Sequence, residues 1–423
     1  MNDNLYCFAL GNNHSLCKVE IINVLYQKEI DFEILEASQE TLIISTRIDL
    51  EQAVSINDFG STAKLIKIFH SGDLYDFHSS PETILGKYLL PLEITDHIQN
   101  GLSIYGSGCK YKDLNKTFGL APTIISEVKK YLSQSNIRCG FLPITERIIP
   151  TANIDNNKIL SKGYELIVAV GKNTIYIGKT ISIQDYKNYS FRDYERPARD
   201  SHSGMTPPKL AKMMINLARK TTDEHLLDPF CGSGTFLMEM LLLGYKHITG
   251  SDLESKAVAD TQTNTDWVLQ NYPQIDKNSE IGIFQCDAKK ISQKIAKKSI
   301  DAIVTEPYLG SPKAIHFNQH QISQEIKRLE PLYTDSFKEF SSILSKFGTI
   351  VIIFPVFKYK DNFYYLEIIE KLKQIGFEQK NYLPDKFQKD QEKLRLNLTG
   401  RGTIVYYRPD QTVSREIILF TKK

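Results

Sequence analysis

From Lys209 onward the chain alternates helix and strand, and that alternation restricts the open architectures more than any other feature. Periodicity predicts a helix over Lys209 to Ala218, a strand over His225 to Asp228, a helix from Gly234 to Leu243 stopped by Gly244, and a strand over His247 to Ser251. A helix over Lys256 to Asn271, a strand over Gly282 to Gln285, a lysine-rich helix and a strand over Ile300 to Thr305 follow. Two helices (Gln321 to Leu329, Ser336 to Ser345), an apolar strand (Thr349 to Phe354) and a helix (Phe363 to Ile375) lead to a closing pair, Thr403 to Arg408 and Arg415 to Phe420. Strands joined through helices are parallel and covered on both faces, which is why they read as continuous apolar runs. The expected architecture is an α/β, doubly wound sheet. Its closing pair, joined around Pro409-Asp410, is expected as an antiparallel hairpin at one edge.

Three segments precede this 209–423 domain. Residues 1–72 read as strand (Leu5 to Leu10), helix (Ser15 to Gln27), two strands (Phe32 to Leu35, Thr41 to Ser45), helix (Leu50 to Phe59) and strand (Ala63 to Phe69), the ferredoxin-like order. Residues 73–185 read as a second small α/β domain ending in a hairpin, Leu166 to Val170 and Thr174 to Ile183. Residues 186–208 read as a linker. Its Arg192, Arg196 and Arg199, interleaved with Tyr189 and Tyr194, suit either linker solvation or contact with RNA phosphates and bases.

Charge does not choose between partners. Lysine and arginine total 52 against 50 acidic residues, a net charge of +2, so a nucleic-acid surface has to be a local patch. The densest basic run, Lys289, Lys290, Lys294, Lys297 and Lys298, suits a solvated face or a phosphate contact. Six scattered cysteines without a C-x-x-C pair form neither a zinc set nor a disulfide framework and fit a reducing cytoplasm. An acid near the start and the lack of an apolar run near the roughly 18 residues of a membrane span lead us to expect a soluble intracellular protein.

The most informative stretch is Asp228-Pro229-Phe230-Cys231-Gly232-Ser233-Gly234-Thr235, between a strand and a helix. Glycines there let backbone approach a ligand closely, in the crevice where doubly wound sheets bind theirs. The Gly-Lys-Ser/Thr ending of a phosphate loop is absent, and Leu237 stands where the dinucleotide fingerprint needs a third glycine. An acid at the strand end disfavours pyrophosphate and favours a ligand with an ammonium and a sulfonium. Asp252, ending the second strand, suits two ribose hydroxyls, and Asp287, ending the third, suits an adenine amine. Glu306-Pro307-Tyr308 ends the fourth strand. A base amine is a weak nucleophile because its lone pair is delocalised into the ring. Glu306 and the Pro307 carbonyl can pin its hydrogens while Tyr308 stacks, so positioning and electrostatics dominate.

With Gly204-Met205-Thr206-Pro207-Pro208-Lys209-Leu210 ahead of it, this set resembles the tRNA guanine-N2 methyltransferases that carry an N-terminal ferredoxin-like domain and a THUMP domain. The resemblance implies a class I methyltransferase sheet and a THUMP-like module that grips the tRNA acceptor end. It implies that Asp228, Pro229, Cys231, Gly232, Gly234, Thr235, Asp252 and Asp287, with Met205 and Pro207, bind S-adenosylmethionine. The family's D-P-P-Y motif is here Glu306-Pro307-Tyr308-Leu309, which puts the methylated atom and the activity in question. The expected substrate is tRNA or another structured RNA; the sequence discloses no small activating partner. Two rivals remain: a DNA adenine-N6 or cytosine-N4 methyltransferase, and a catalytically silent RNA-binding protein on the same scaffold.

Overall fold

The computed structural model describes residues 3–88, 97–134, 136–199, 205–311, 314, 316–407 and 413–423. Two compact units divide the chain: Met1–Ile21, Lys28–Tyr186 and Lys386–Leu396 form one, and Ile22–Gln27, Lys187–Asp385 and Asn397–Lys423 the other. No helix among the described residues is long and apolar enough to cross a membrane.

The first unit holds β1 (Asn4–Leu10), β2 (Phe32–Ala37), β3 (Thr41–Thr46), β4 (Thr62–Asp73), β5 (His97–Gly106), β6 (Arg138–Phe141), β7 (Glu165–Val170) and β8 (Thr174–Ile183) in one sheet, ordered β2-β3-β1-β4-β8-β7-β5-β6. Its first four strands are antiparallel in the order that a ferredoxin-like βαββαβ chain adopts. β4 then pairs with β8, so strands from both sides of residue 72 share one ladder. The β7–β8 hairpin closes as its Gly171 turn predicts, and Gly171 N–H donates to Thr174 O at 2.8 Å. Beneath the strands Lys64 meets Glu165 at 2.6 Å, both fully buried. Ser103 and Thr180 also donate to that carboxylate, so the buried charge is paired and solvated by protein.

The second unit holds β9 (His225–Asp228), β10 (His247–Asp252), β11 (Glu280–Gln285), β12 (Ile300–Thr305), β13 (Leu344–Tyr359), β14 (Asn362–Tyr365), β15 (Phe377–Gln379), β16 (Ile404–Tyr406) and β17 (Val413–Lys422). The order β11-β10-β9-β12-β13-β17-β15, parallel from β11 through β13 with β17 antiparallel beside β13, is that of the class I methyltransferase sheet. β16 and β17 pair antiparallel as expected, but β17 lies inside the sheet and β15 takes a place beyond it. Three residues are too few for β15 to show a period, whereas the apolar run of β17 suits an interior strand. The Pro409-Asp410 turn lies outside the described residues.

Three helix expectations change. Pro331 lacks an N–H and is expected to break a helix, yet one helix runs Gln319–Ile343 through it, its face buried through Leu329, Tyr333, Phe337 and Phe340. Phe363 to Tyr365 form β14 against β13, so cross-strand pairing overrides the helical period and the helix starts at Ile369. The segment read as a linker opens with a helix, Tyr186–Tyr194.

Phe337 centres the core on one face of this sheet. Its ring meets those of Phe377 at 5.0 Å, Phe420 at 5.3 Å and Phe340 at 5.7 Å, and it is fully buried. Phe337→Ala is expected to cost about 3–5 kcal/mol, read as a lower midpoint in chemical denaturation.

Candidate functional site

β9 has β10 on one side and β12 on the other, so the crossovers leave it in opposite directions and open a crevice at its carboxyl end. The glycine loop fills that place. Gly232 and Gly234 adopt φ of 52° and 82°, which side chains other than glycine rarely hold. A Cβ on Gly234 would lie 3.1–3.3 Å from Thr261, so this glycine lets the loop rest on the helix Ser255–Asn271. A Cβ on Gly232 would meet nothing within 4 Å: its face looks into open space that a ligand can enter. Thr261 Oγ1 donates to Gly232 O at 2.8 Å, and Asn264 Nδ2 donates to Ser233 O at 2.7 Å. Cys231 N–H donates to Ser251 O at 2.9 Å, tying the loop to β10.

Asp228 and Asp252 end β9 and β10, and Asp287 lies two residues beyond β11. Asp228 is fully buried; its Oδ1 accepts from Thr305 Oγ1 at 2.6 Å and from Phe230 N–H at 3.1 Å. Its Oδ2 is buried with no partner. Burial, together with the negative charges of Asp252 and Glu306, pushes its carboxyl up to about 7. Asp252 accepts from Gly232 N–H and Glu254 N–H, both at 3.0 Å, leaving one lone pair on each oxygen. Asp287 caps a short 3-10 turn through Lys289 N–H at 3.0 Å. Asp228, with its unmet oxygen, and Asp252 lie close enough for their charges to interact, and the pair suits a ligand that is cationic at one end and rich in donors.

Glu306 follows β12. Arg415 Nε, from β17, donates to its Oε1 at 2.7 Å, and Thr206 Oγ1 donates to its Oε2. Both partners are buried, so the carboxylate is held in one orientation. Pro307 is buried and Tyr308 is 46% exposed, its ring beneath the Arg328 guanidinium at 5.6 Å and its carbonyl accepting from Tyr333 Oη at 3.1 Å. Tyr308 therefore engages Arg328 while about half of its surface stays open to solvent.

The linker arginines separate. Arg192 is buried against Glu239 at 2.7 Å, and Arg196 is buried against Thr235 Oγ1 at 2.7 Å and Met205 Sδ; only Arg199 is exposed, 5.4 Å above the Tyr194 ring. Thr235 begins the helix Thr235–Leu242, and Pro207 is the N-cap of the helix Pro208–Leu217. Sequence reasoning passed over Thr206, Thr305 and Arg415. A charged pair, Arg415-Glu416, at the head of the apolar run Ile417 to Phe420 was the signal available for the last.

A family model described as an RMKL-like methyltransferase domain matches residues 196–376, and one described as a DNA methylase matches residues 111–264. The tRNA (guanine(10)-N2)-dimethyltransferase of Methanocaldococcus jannaschii is 34% identical over 146 residues, 34% of this chain and 39% of that protein. The chain thus spans less than half of that relative's length. A probable tRNA (guanine(10)-N2)-dimethyltransferase of Methanothermococcus thermolithotrophicus is 35% identical over 115 residues, 27% of this chain and 68% of that protein. TrmN from Thermus thermophilus superposes with a TM-score of 0.53 at 14% identity, covering 99% of this chain and 100% of that one, a likeness of fold.

Asp228 sets a pH dependence. Its folded carboxyl titrates at about 7 and its unfolded one at 3.8, so between those values the folded state keeps a proton that the unfolded state has released. Stability of the ligand-free chain should fall as pH rises through that interval and level off above it. Asp228→Asn removes the charge and should flatten the dependence, with a gain of roughly 1–4 kcal/mol at the upper end. Denaturant midpoints of both proteins across the interval check this; a wild-type curve that rises there contradicts it.

Proposed function

The chain belongs to the tRNA guanine-N2 methyltransferase family, and from that premise we propose that it transfers a methyl group from S-adenosylmethionine to the exocyclic amine of a guanine in tRNA. The observation that carries this reading is the row of acids at or just beyond the ends of β9, β10, β11 and β12 around a left-handed glycine loop. The orphaned Asp228 Oδ2 and the open face of Gly232 fit the cofactor: one is an acceptor for an ammonium, the other a cradle that a Cβ would fill. Bound there, S-adenosylmethionine supplies an electrophilic methyl on a sulfonium.

The chain's own groups bind and orient. In this reading Asp228 takes the ammonium, Asp252 accepts from the ribose hydroxyls with its remaining lone pairs, and Asp287 accepts from the adenine amine. Met205, Pro207, Pro229, Cys231 and Thr235 complete the walls. Glu306, clamped by Arg415 and Thr206, accepts hydrogen from the base amine and stabilises the positive charge that grows on that nitrogen, with the Pro307 carbonyl as second acceptor and Tyr308 as stacking face. Residues 1–72 and 73–185 act as ferredoxin-like and THUMP-like modules that hold the RNA, and the exposed Arg199–Tyr194 pair contacts it. A cytoplasmic location follows from the tRNA substrate.

Methyl transfer to total tRNA and to duplex DNA, followed by nucleoside mass spectrometry, tests the reading. N2-methylated guanosine from tRNA supports it, N6-methyladenine or N4-methylcytosine from DNA replaces it with the DNA enzyme, and no product from either favours the silent scaffold. Asp252→Ala should weaken S-adenosylmethionine binding by about 1.5–3 kcal/mol in calorimetry. Glu306→Gln should slow the single-turnover rate on the order of a hundredfold to a thousandfold and leave the cofactor Kd nearly unchanged; wild-type rates would make Glu306 a strand-end residue alone.

A further inference from the structure

Two arginines of the former linker are buried, and their surroundings differ. Arg192 lies against the Glu239 carboxylate, which also faces Lys212 at 3.5 Å, so its charge is matched inside the protein. Arg196 is 2% exposed and has no carboxylate within ion-pair distance among the described residues. Its Nη1 donates to the Thr235 hydroxyl, its Nη2 meets the weak acceptor Met205 Sδ, and its Nε is buried without any partner. Burial pulls its pKa down, and the charges of Asp193 and Glu239, which do not contact it, offset that only in part, with Arg199 adding to it. A guanidinium left in that state calls for an anion from outside the chain.

Its location says which anion. Thr235 is the first residue of the helix Thr235–Leu242, whose N-cap is Gly234 and supplies no side-chain acceptor to the first amides. A helix start of this kind attracts negative charge, and Arg196 adds a full positive charge at the same residue. On the Asp228 side of the same loop lies the reverse defect, a buried carboxylate oxygen with no donor. An unmet cation and an unmet anion flank one glycine loop, and a zwitterion satisfies both.

We propose that Arg196 binds the carboxylate of the cofactor's amino-acid moiety, with Asp228 taking the ammonium, so that Arg196 serves the cofactor site and not the RNA. This rests on the S-adenosylmethionine reading above. Guanidinium and carboxylate pair through two parallel hydrogen bonds, and Nε is the donor still available for one of them.

Calorimetric titration of the full chain tests it with three ligands: S-adenosylhomocysteine, its analogue lacking only the carboxylate, and 5′-methylthioadenosine, which lacks the amino-acid moiety. Wild type should bind S-adenosylhomocysteine on the order of tenfold to a hundredfold more tightly than the decarboxylated analogue. Arg196→Met should lower S-adenosylhomocysteine affinity to that of the analogue and leave the other two ligands as in wild type. Should that variant fail to fold, Arg196→Lys, which keeps the charge but loses the planar fork, should shrink the same ratio without changing 5′-methylthioadenosine binding. Equal binding of the first two ligands by wild type, or a folded variant that keeps the wild-type ratio, overturns the proposal. Binding of none of the three by wild type instead removes the S-adenosylmethionine reading on which it rests.

Discussion

The pairing of β9 with both β10 and β12 is the constraint on which the second unit depends. Parallel strands on either side of β9 force the helices that follow them onto opposite faces, and no connection crosses the carboxyl end of that strand. Backbone amides and strand-end side chains gather in the gap. The loop after β9 has to turn at once into a helix without filling it, and the positive φ of Gly232 and Gly234 makes that turn possible. Thr261 and Asn264 hold the loop from below, so its shape is set before any ligand arrives.

Charge in this crevice is arranged at some expense to the fold. Asp228 is buried beside other acids, and Arg196 is buried with no carboxylate in ion-pair contact among the described residues. Neither arrangement stabilises the free protein, because a desolvated charge needs a partner to offset lost hydration. Arg192 with Glu239, and Lys64 with Glu165, show the contrasting case in which the partner is built in. Unmatched charges around the glycine loop, set against matched ones elsewhere, are what support the proposal that the former serve a ligand.

Glu306 belongs to neither class cleanly. Its guanidinium and hydroxyl partners match its charge, yet each carboxylate oxygen keeps a lone pair, and Tyr308 stands exposed beside it. A glutamate reaches one methylene farther than the aspartate usual at this position. The structure shows what that reach meets: Arg415 on β17 and Thr206 ahead of the helix Pro208–Leu217. The altered motif is therefore matched by residues distant in sequence.

The strands, the glycine loop and the acids at β9 to β12 were legible from the sequence because each is a local signal: a run of apolar residues, a turn that only glycine permits, an acid at a strand end. The residue pattern alone thereby determined the sheet type and the place of its ligand crevice. Only the tertiary structure decided that β17 lies inside the sheet, that Pro331 sits within a continuous helix, and that β14 replaces the start of a helix, since each depends on which strand or core face is waiting across space. It decided the arginines as well. Arg192, Arg196 and Arg199 look alike in a stretch rich in tyrosine and proline, and their chemistry diverges through what lies against them: a carboxylate, a hydroxyl with a thioether, and an open aromatic face. Burial and partnership are properties of the folded neighbourhood, and a one-dimensional pattern does not carry them.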